Sequence, residues 1–522
     1  MSKEKNNAVK AVGSMMMITL LGKLLGLARE QFLAWNYSIG PQANAFSTAS
    51  LIPRIFFDVV FASAISASFI PVFNEYMQKK GKEEAFKLSS NFITMVGMLS
   101  TLLTVFGIIF APQLTAWFAD GFDAQTAALC VNLLRILFPA TIFTGLAFSF
   151  VGILQSMDEF NIPAAMSIIS NAIIIIYYFF LNDRFGIYGL TVAFLIGWAM
   201  QAFIQIPALL KRGYKYKPFL DFNDKGLKKI IRLMLPVMVS TWIQPINLAI
   251  NTKFASRLLD GAGVSAIGYA NTVYSIIVGV FVLSVANVIF PQLSRMTMDD
   301  DKKRFGETVS ITMEVMAFLL IPMTVGMMCL SEPIIMLIYQ RGEFTQYATG
   351  LTSNALFFFS IGMIGFGIQA ILSRAFYAEQ NGRIPLLSGI ISIGVNVALC
   401  KALAPRMGIG GLALASAVSS TVSAIVLFIP MQKRNRIISK TLVIQIIKMI
   451  ISAGIMAVVV IIGKNTIASA FEPSFMTSLV EVGVPTISGI IVYMVLTRIL
   501  VVPYAKMVFD YGTKFVKGKI KR

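Results

Sequence analysis

A chain of 522 residues with 57% hydrophobic and only 13% charged residues cannot cover itself with a water-facing surface, for which about 25% charged residues are usual. Lys and Arg number 44 against 25 Asp and Glu, a formal net charge of +19. The aromatic residues lie in apolar stretches and not between basic ones, so this excess reads as basic loops beside a membrane and not as a nucleic-acid surface.

Apolar stretches of about 20 residues, each long enough to cross a hydrocarbon core of roughly 30 Å, recur along the chain. They predict helices over 12–33, 43–76, 92–118, 127–157, 162–181 and 188–210, then 233–258, 264–293, 305–339, 348–377, 385–403 and 409–431, and finally 442–462 and 479–502. The first run is too long for a signal peptide and is expected to be retained. No ten-residue alternation of the kind a membrane barrel needs is present. The expected fold is an all-α integral membrane protein with about fourteen transmembrane helices.

Loop charges set the expected orientation. Basic clusters occupy alternate loops: Lys79, Lys80 and Lys82; Lys211 to Lys217; Lys302 to Arg304; and Lys433 to Arg436. Lys3, Lys5 and Lys10 precede the first helix, and Lys514, Lys517, Lys519, Lys521 and Arg522 follow the last. Both termini are therefore expected on the cytoplasmic side.

The chain repeats itself. Pro71, Pro112 and Pro163 are 41 and 51 residues apart; Pro291, Pro333 and Pro385 are 42 and 52 apart. FIPVF (69–73) pairs with IFPQL (289–293), and IPAAMSIISNAI (162–173) with IPLLSGIISIGV (384–395). Two six-helix lobes of one topology, related by a pseudo-twofold axis, are expected over 1–215 and 216–435. Helices 13 and 14 with a basic tail are appended over 436–522. Such repeats place a substrate site between the lobes, near the midplane. The linker that starts at Lys211 ends in KKIIR, which is suited to an anionic inner leaflet.

Charges inside spanning helices are costly and point to function. The first helix carries Lys23, Arg29 and Glu30, with Lys23 and Glu30 seven apart on one face. Arg54 and Asp58 on the second are spaced i, i+4 for an ion pair. Arg135, Lys253, Arg257, Glu307 and Glu314 are the others; Lys253 and Arg257 approach the outer end of their helix. The five charges on the first two helices, cationic in balance, are expected to line a cavity for an anionic head group. Gly22 and Gly26 form G-x-x-x-G, which serves either close packing or bending. Asn44, Asn251, Thr272, Asn287 and Asn396 are polar groups in apolar surroundings, suited to interhelical hydrogen bonds.

Chemistry is excluded more sharply than it is assigned. Histidine is absent, which removes Ser/His and Cys/His nucleophile pairs and the commonest zinc ligand. Cys130, Cys329 and Cys400 lie in apolar stretches without metal-ligand spacing. No G-x-x-x-x-G-K-[ST] loop occurs, so nucleotide hydrolysis within the chain is not expected. The expectation is a transporter and not an enzyme, with no catalytic residue, metal or cofactor, driven by the membrane potential or by a Na+ or H+ gradient.

GKLLGLARE, ANAFSTASLIPRI, SFIPVFNEY (68–76), FPQLSR (290–295), RGEFT (341–345), LSRAFYAEQNGRIP (372–385) and GIGGLALA (408–415) together resemble the MurJ (MviN) lipid II flippases of the multidrug/oligosaccharidyl-lipid/polysaccharide exporter superfamily. The resemblance runs over about residues 10 to 435. It implies movement of lipid II, an undecaprenyl-pyrophosphate-linked muropeptide, from the inner to the outer leaflet of the bacterial cytoplasmic membrane. Lipid II, membrane lipids and cell-wall synthesis proteins are the implied partners. The pyrophosphate would lie in a cationic cavity and the lipid tail in a C-lobe groove reaching the last two helices. By position, Arg29 matches the family's first-helix arginine, Lys23 a common basic position and Glu30 a usual acid. The second-helix arginine position holds Phe57 or Asp58, with Arg54 about one turn earlier; the eighth-helix arginine is Thr272. The acid ending the first loop is Asn44, and the acid of a cation site in some members is Asn251. Lys23, Arg29, Glu30, Arg54, Asp58 and Thr272 are thus the expected substrate contacts, and Asn251 and Asn396 the expected ion contacts. The alternatives are a flippase for another lipid-linked glycan and a cation-coupled drug antiporter of the same superfamily. The cationic balance of Lys23, Arg29 and Arg54 over Glu30 and Asp58 weighs against the antiporter.

Overall fold

A computed structural model describes residues 2–56, 65–298, 301–435, 437–438, 440–472 and 474–505. Among them there is no strand. The chain forms two compact units, Met1–Ser265 and Ala266–Arg522.

The first unit holds α1 (Ser2–Tyr37), α2 (Pro41–Phe56), a π-helical turn (Ile65–Phe69), α3 (Ile70–Lys79), α4 (Lys82–Ile109), α5 (Ala111–Phe118), α6 (Ala124–Leu137), α7 (Ala140–Ser156), α8 (Asn161–Phe180), α9 (Asn182–Phe203), α10 (Ile206–Lys211), α11 (Lys225–Thr241) and α12 (Ile243–Ser256). The second begins within α13 (Gly263–Met298) and continues with α14 (Lys302–Cys329), α15 (Ser331–Tyr339), α16 (Gln346–Ile361), α17 (Met363–Ala378), α18 (Arg383–Asn435), α19 (Lys440–Ala470) and α20 (Phe475–Ile499).

Every apolar stretch read from the sequence falls mainly on helix, with short breaks such as those at Phe110, Trp242 and Leu330; 57–64 of the 43–76 stretch lies outside the described residues. Among the described residues nine helices are long and apolar enough to cross a membrane, or ten if α16 and α17, bent by 45°, form one span. Fourteen stretches give fewer uninterrupted spans because several passes are cut. The pass over α11 and α12 breaks at Trp242. α18 runs 53 residues but turns at Gly408, where φ is 57° and ψ is −133°. Only glycine enters that region readily.

The repeat is visible in local geometry. α4 and α14 are both 28 residues long. Each ends at a single non-helical residue, Phe110 (φ −91°, ψ 14°) or Leu330 (φ −108°, ψ 14°), before a short helix carrying Pro112 or Pro333 in its first turn. The break at Gly408 in GIGGLALA has its counterpart at Gly186 in GIYGLTVA, with φ 53° and ψ −145°. Pro112, Pro163, Pro333 and Pro385 sit in the first turn of their helices, where a missing N–H costs nothing, whereas Pro291 lies within α13.

Lipid tails are as apolar as leucine, so close packing and interhelical hydrogen bonds hold such helices together. In the first unit Phe69, Phe73 and Phe92 pack in one cluster, the Phe69 ring tilted by 32° to each of the other two. In the second, Tyr269 packs with Tyr339 and Phe344. Polar fastenings recur: Thr104 to Thr141 at 2.8 Å, Ser388 to Ser423 at 2.6 Å, and the Tyr493 hydroxyl to the Phe318 carbonyl at 3.0 Å.

Candidate anion-binding site

α1 presents Gly22, Gly26, Arg29 and Leu33 along one stripe, spaced four, three and four residues apart, the spacing of a single helix face. That stripe packs on α8. A Cβ at Gly22 would lie 2.1 Å from the Ser167 Oγ, and one at Gly26 would lie 3.6 Å from the Asn171 Nδ2. α1 continues as helix through both glycines, so here G-x-x-x-G is a packing surface.

The same stripe turns Arg29 inward. Its Nη1 donates to the Asn171 Oδ1 at 3.1 Å and its Nη2 to the Glu30 Oε1 at 2.6 Å. The guanidinium lies 5.0 Å from the centroid of the Phe194 ring on α9. Asn171 is itself fixed, its Nδ2 donating to the Gly22 carbonyl at 3.2 Å. Beyond Arg29, the Tyr37 hydroxyl donates to Asn182 and Asn182 donates to Asn36, at 2.6 and 3.0 Å. The Arg29 Nε is buried and makes no hydrogen bond among the described residues. Nε and Nη2 form one edge of the guanidinium fork, the edge that grips a carboxylate or phosphate with two parallel bonds. At Arg29 that edge is half filled, by one oxygen of Glu30.

Arg257 is the contrast. Its Nε and Nη2 both bind Asp120, at 2.8 and 2.5 Å, and the Lys253 Nζ reaches the same carboxylate at 3.4 Å. The Gly121 N–H donates to the Ser256 Oγ at 3.2 Å, and a Cβ at Gly121 would strike the Arg257 backbone at 2.5 Å. The loop between α5 and α6 is thereby bound to the end of α12. The Arg257 hydrogen bond, reinforced by Lys253, holds the Asp120 carboxyl below its ordinary pKa. Lys253 and Arg257 sit where the sequence placed them, at a helix end, and their role there is structural.

The remaining expected site residues divide as follows. Lys23 is exposed, and Glu30 engages Arg29 at 2.6 Å. Arg54 is exposed in the last turn of α2. Phe57 and Asp58, and with Asp58 the expected pairing to Arg54, lie outside the described residues. Thr272 belongs to the second unit, where its hydroxyl donates to the Gly268 carbonyl of its own helix at 3.0 Å. Asn251 is buried in the first unit; Asn396 is buried in the second and accepts from the Cys400 thiol at 3.6 Å. Asn44 accepts from the Ser265 N–H at 2.9 Å and donates to the Ile39 carbonyl. Among the described residues no group of three or more Cys, Asp or Glu side chains is placed to hold a metal. Arg135 is exposed, its Nε 3.4 Å from the Ile108 carbonyl. Glu314 is buried and accepts from the Tyr504 hydroxyl at 2.9 Å.

Asn171 and Phe194, the two residues that place Arg29, were not among the sequence candidates. Asn171 carried the signal that singled out Asn251 and Asn396, an amide inside an apolar run. Phe194 carried none.

A polytopic, helical, internally repeated chain of this kind is built as a membrane transporter. The comparisons specify the class. Residues 38–481 match the family model described as Lipid II flippase MurJ, and the chain belongs to that family. A Burkholderia cenocepacia protein named Lipid II flippase MurJ is 26% identical over 437 residues, covering 82% of this chain and 84% of the relative. A Vibrio cholerae protein named as a probable lipid II flippase MurJ is 28% identical over 422 residues, 79% of this chain and 80% of that one. A solved structure of a lipid II flippase MurJ in an inward closed conformation superposes with a TM-score of 0.80 at 25% identity, over 95% of this chain and 99% of that one. An inward-facing multidrug transporter of the MOP superfamily shares the fold, at a TM-score of 0.67 and 16% identity.

Proposed function

We propose that this chain moves lipid II from the inner to the outer leaflet of the bacterial cytoplasmic membrane by alternating access, with both termini in the cytoplasm. The reading takes residues 1–215 and 216–435 as the moving lobes and 436–522 as an appended pair of helices with a basic tail. The observation that carries it is the half-filled fork of Arg29 in a member of the lipid II flippase family. A pyrophosphate oxygen that displaces Glu30 from Nη2 gains the paired Nε and Nη2 donors at once. Low local dielectric strengthens such a charge-assisted pair. Lys23 and Arg54 supply further positive charge, and Phe194 and Asn171 keep the guanidinium in place while its partner changes.

With no nucleotide-binding loop in the chain, the driving force is the membrane potential or an ion gradient; one charge crossing 100 mV is worth about 2.3 kcal/mol. Arg29→Ala and Arg29→Lys are the test, in a strain depleted of its own lipid II flippase and scored by leaflet-specific labelling of lipid II. Arg29→Ala abolishes rescue at normal protein level. Arg29→Lys is impaired although the charge is kept, because an ammonium has no planar fork. Full activity of both variants removes Arg29 from the mechanism.

A further inference from the structure

One side of the first unit carries an open groove of about 1220 Å³, walled by α4, α7, α10 and the linker that follows α10. Its floor is one stripe of α4: Thr94, Met98, Thr101 and Val105, spaced four, three and four residues apart and hence on one helix face. Leu146 and Phe150 of α7 form the opposite wall. From Ile93 to Val105 the groove runs 12 residues along the helix, about 18 Å at 1.5 Å per residue. That is close to one leaflet, half of a hydrocarbon core of roughly 30 Å.

One end of the groove is closed by aromatic side chains of the linker. Tyr214 and Tyr216 bond across to α4, the first to Ser90 at 3.2 Å and the second to Thr94 at 2.9 Å. Asn91 ties down the Asp221 backbone with two bonds, of 2.9 and 2.8 Å, which sets Phe222 in the wall. The linker is therefore built onto the helix and not draped over it.

The same end is basic. The α4 stripe continues one heptad past Thr94 to Lys87, whose Nζ lies 5.3 Å from the Phe219 ring centroid. Lys211 follows directly on the wall residue Leu210, and Lys215 and Lys217 flank Tyr216. All four lysines are exposed. With Lys82 and Arg212 they make six basic residues against the acids Glu83, Glu84, Glu159 and Asp221, and Glu159 is taken by Arg212 at 2.8 Å. An apolar trough one leaflet long with a cationic rim at one end is complementary to one molecule, an anionic glycerophospholipid of the leaflet that the basic loops face.

We propose that this groove is a specific site for such a lipid. One acyl chain lies against Met98, Leu102 and Val105, and the phosphate sits among Lys87, Lys211 and Lys215 beside the Tyr216 and Thr94 hydroxyls. A basic segment at an anionic leaflet gains affinity with each lysine near the surface. The linker is part of this site, so lipid occupancy steadies the segment between α10 and α11. The inference does not depend on what the chain transports.

The test uses the full chain in nanodiscs holding equal amounts of dioleoyl-phosphatidylglycerol and dioleoyl-phosphatidylcholine, released into detergent, with retained lipids counted by native mass spectrometry. The unaltered protein is expected to keep phosphatidylglycerol over phosphatidylcholine by about tenfold or more. The triple variant Lys87→Gln, Lys211→Gln, Lys215→Gln is expected to lose that preference while still retaining a lipid. Leu102→Trp, which fills the trough from an exposed position, is expected to lose the lipid itself. Both variants change only exposed side chains, and an unchanged melting midpoint verifies folding. Equal retention of the two lipids by the unaltered protein overturns the proposal, as does a preference that survives both variants. Transport of lipid II is read separately, so failure here leaves the flippase reading standing, and the reverse.

Discussion

Gly22→Ala probes the packing of α1 on α8 directly. The added Cβ would lie 2.1 Å from the Ser167 Oγ, 3.3 Å from the Ser167 Cβ and 3.8 Å from the Ile168 Cγ1. Only the first contact is prohibitive, and it involves the end of a short side chain. If Ser167 turns to another rotamer the strain is about 0.5–1.5 kcal/mol; if it cannot, overpacking costs about 1–3 kcal/mol. Replacing a helical glycine by alanine returns up to about 1 kcal/mol. The single variant should therefore be less stable by about 1 kcal/mol. Ser167→Ala removes the Oγ and leaves a 3.3 Å contact that small shifts relieve. The double variant should match or exceed the original stability, with a coupling of about 1–2 kcal/mol. The measurement is the melting midpoint of the full chain in detergent, followed by maleimide labelling of the buried thiols of Cys130 and Cys400, alongside the depletion-rescue assay. A Gly22→Ala protein of unaltered stability whose transport fails, with no recovery from Ser167→Ala, would refute the packing argument. That result would restore a bending role for Gly22.

Three further outcomes follow from the geometry. Gly186→Ala and Gly408→Ala place a Cβ at positive φ in the region reserved for glycine. Each should cost about 1–3 kcal/mol in the same melts, although among the described residues no atom lies within 4 Å of where either Cβ would stand. Tyr504→Phe removes the hydroxyl that donates to buried Glu314 at 2.9 Å. It should destabilise the second unit by about 1–3 kcal/mol, and adding Glu314→Leu should recover part of the loss. Asp120→Asn should lower the melting midpoint only slightly, by about 1 kcal/mol or less, since Arg257 is half exposed. The folded pKa of Asp120 is depressed, so its contribution is complete above the ordinary value of 3.8 and fades only as the pH falls below it. The difference between variant and original should therefore be flat from neutral pH down to that value and narrow beneath it.

The sequence carried the helices because a bilayer imposes one strong rule, about twenty apolar residues per crossing, and every stretch so marked is mainly helical among the described residues. It carried the repeat because Pro112 and Pro333 recur at matching spacing, and each falls in the first turn of a short helix. Breaks such as Phe110, Leu330 and Trp242 were invisible, since an apolar residue reads alike inside a helix and between two. The site was legible to the first partner only. The stripe of Gly22, Gly26, Arg29 and Leu33 follows from spacing alone, but periodicity gives the face and not the neighbour. Asn171 and Phe194 are 142 and 165 residues from Arg29 in the chain, and nothing local to α1 names them. Lys23 and Glu30 share a face by spacing, yet Glu30 turns to Arg29, its neighbour in sequence. A 2.6 Å charge-assisted bond outweighs a separation of seven residues along the helix.

Glu30 then has a physical reason to be where it is. A partly buried guanidinium without a counter-charge is costly, so a transporter that must empty its site cannot leave Arg29 alone. An acid that filled both donors, as Asp120 does for Arg257, would compete with substrate through two bonds. An acid bound through one oxygen neutralises the charge while leaving Nε open. An incoming phosphate can then displace Glu30 from Nη2 and gain the Nε and Nη2 donors together, so one anion replaces another at the guanidinium. Release runs the same steps backwards, with Glu30 waiting one residue away. On this argument Glu30→Gln keeps a weaker bond to Nη2 and loses the neutralising charge. It should hold the pyrophosphate more tightly and release it more slowly, the opposite of the loss of binding expected from Arg29→Ala.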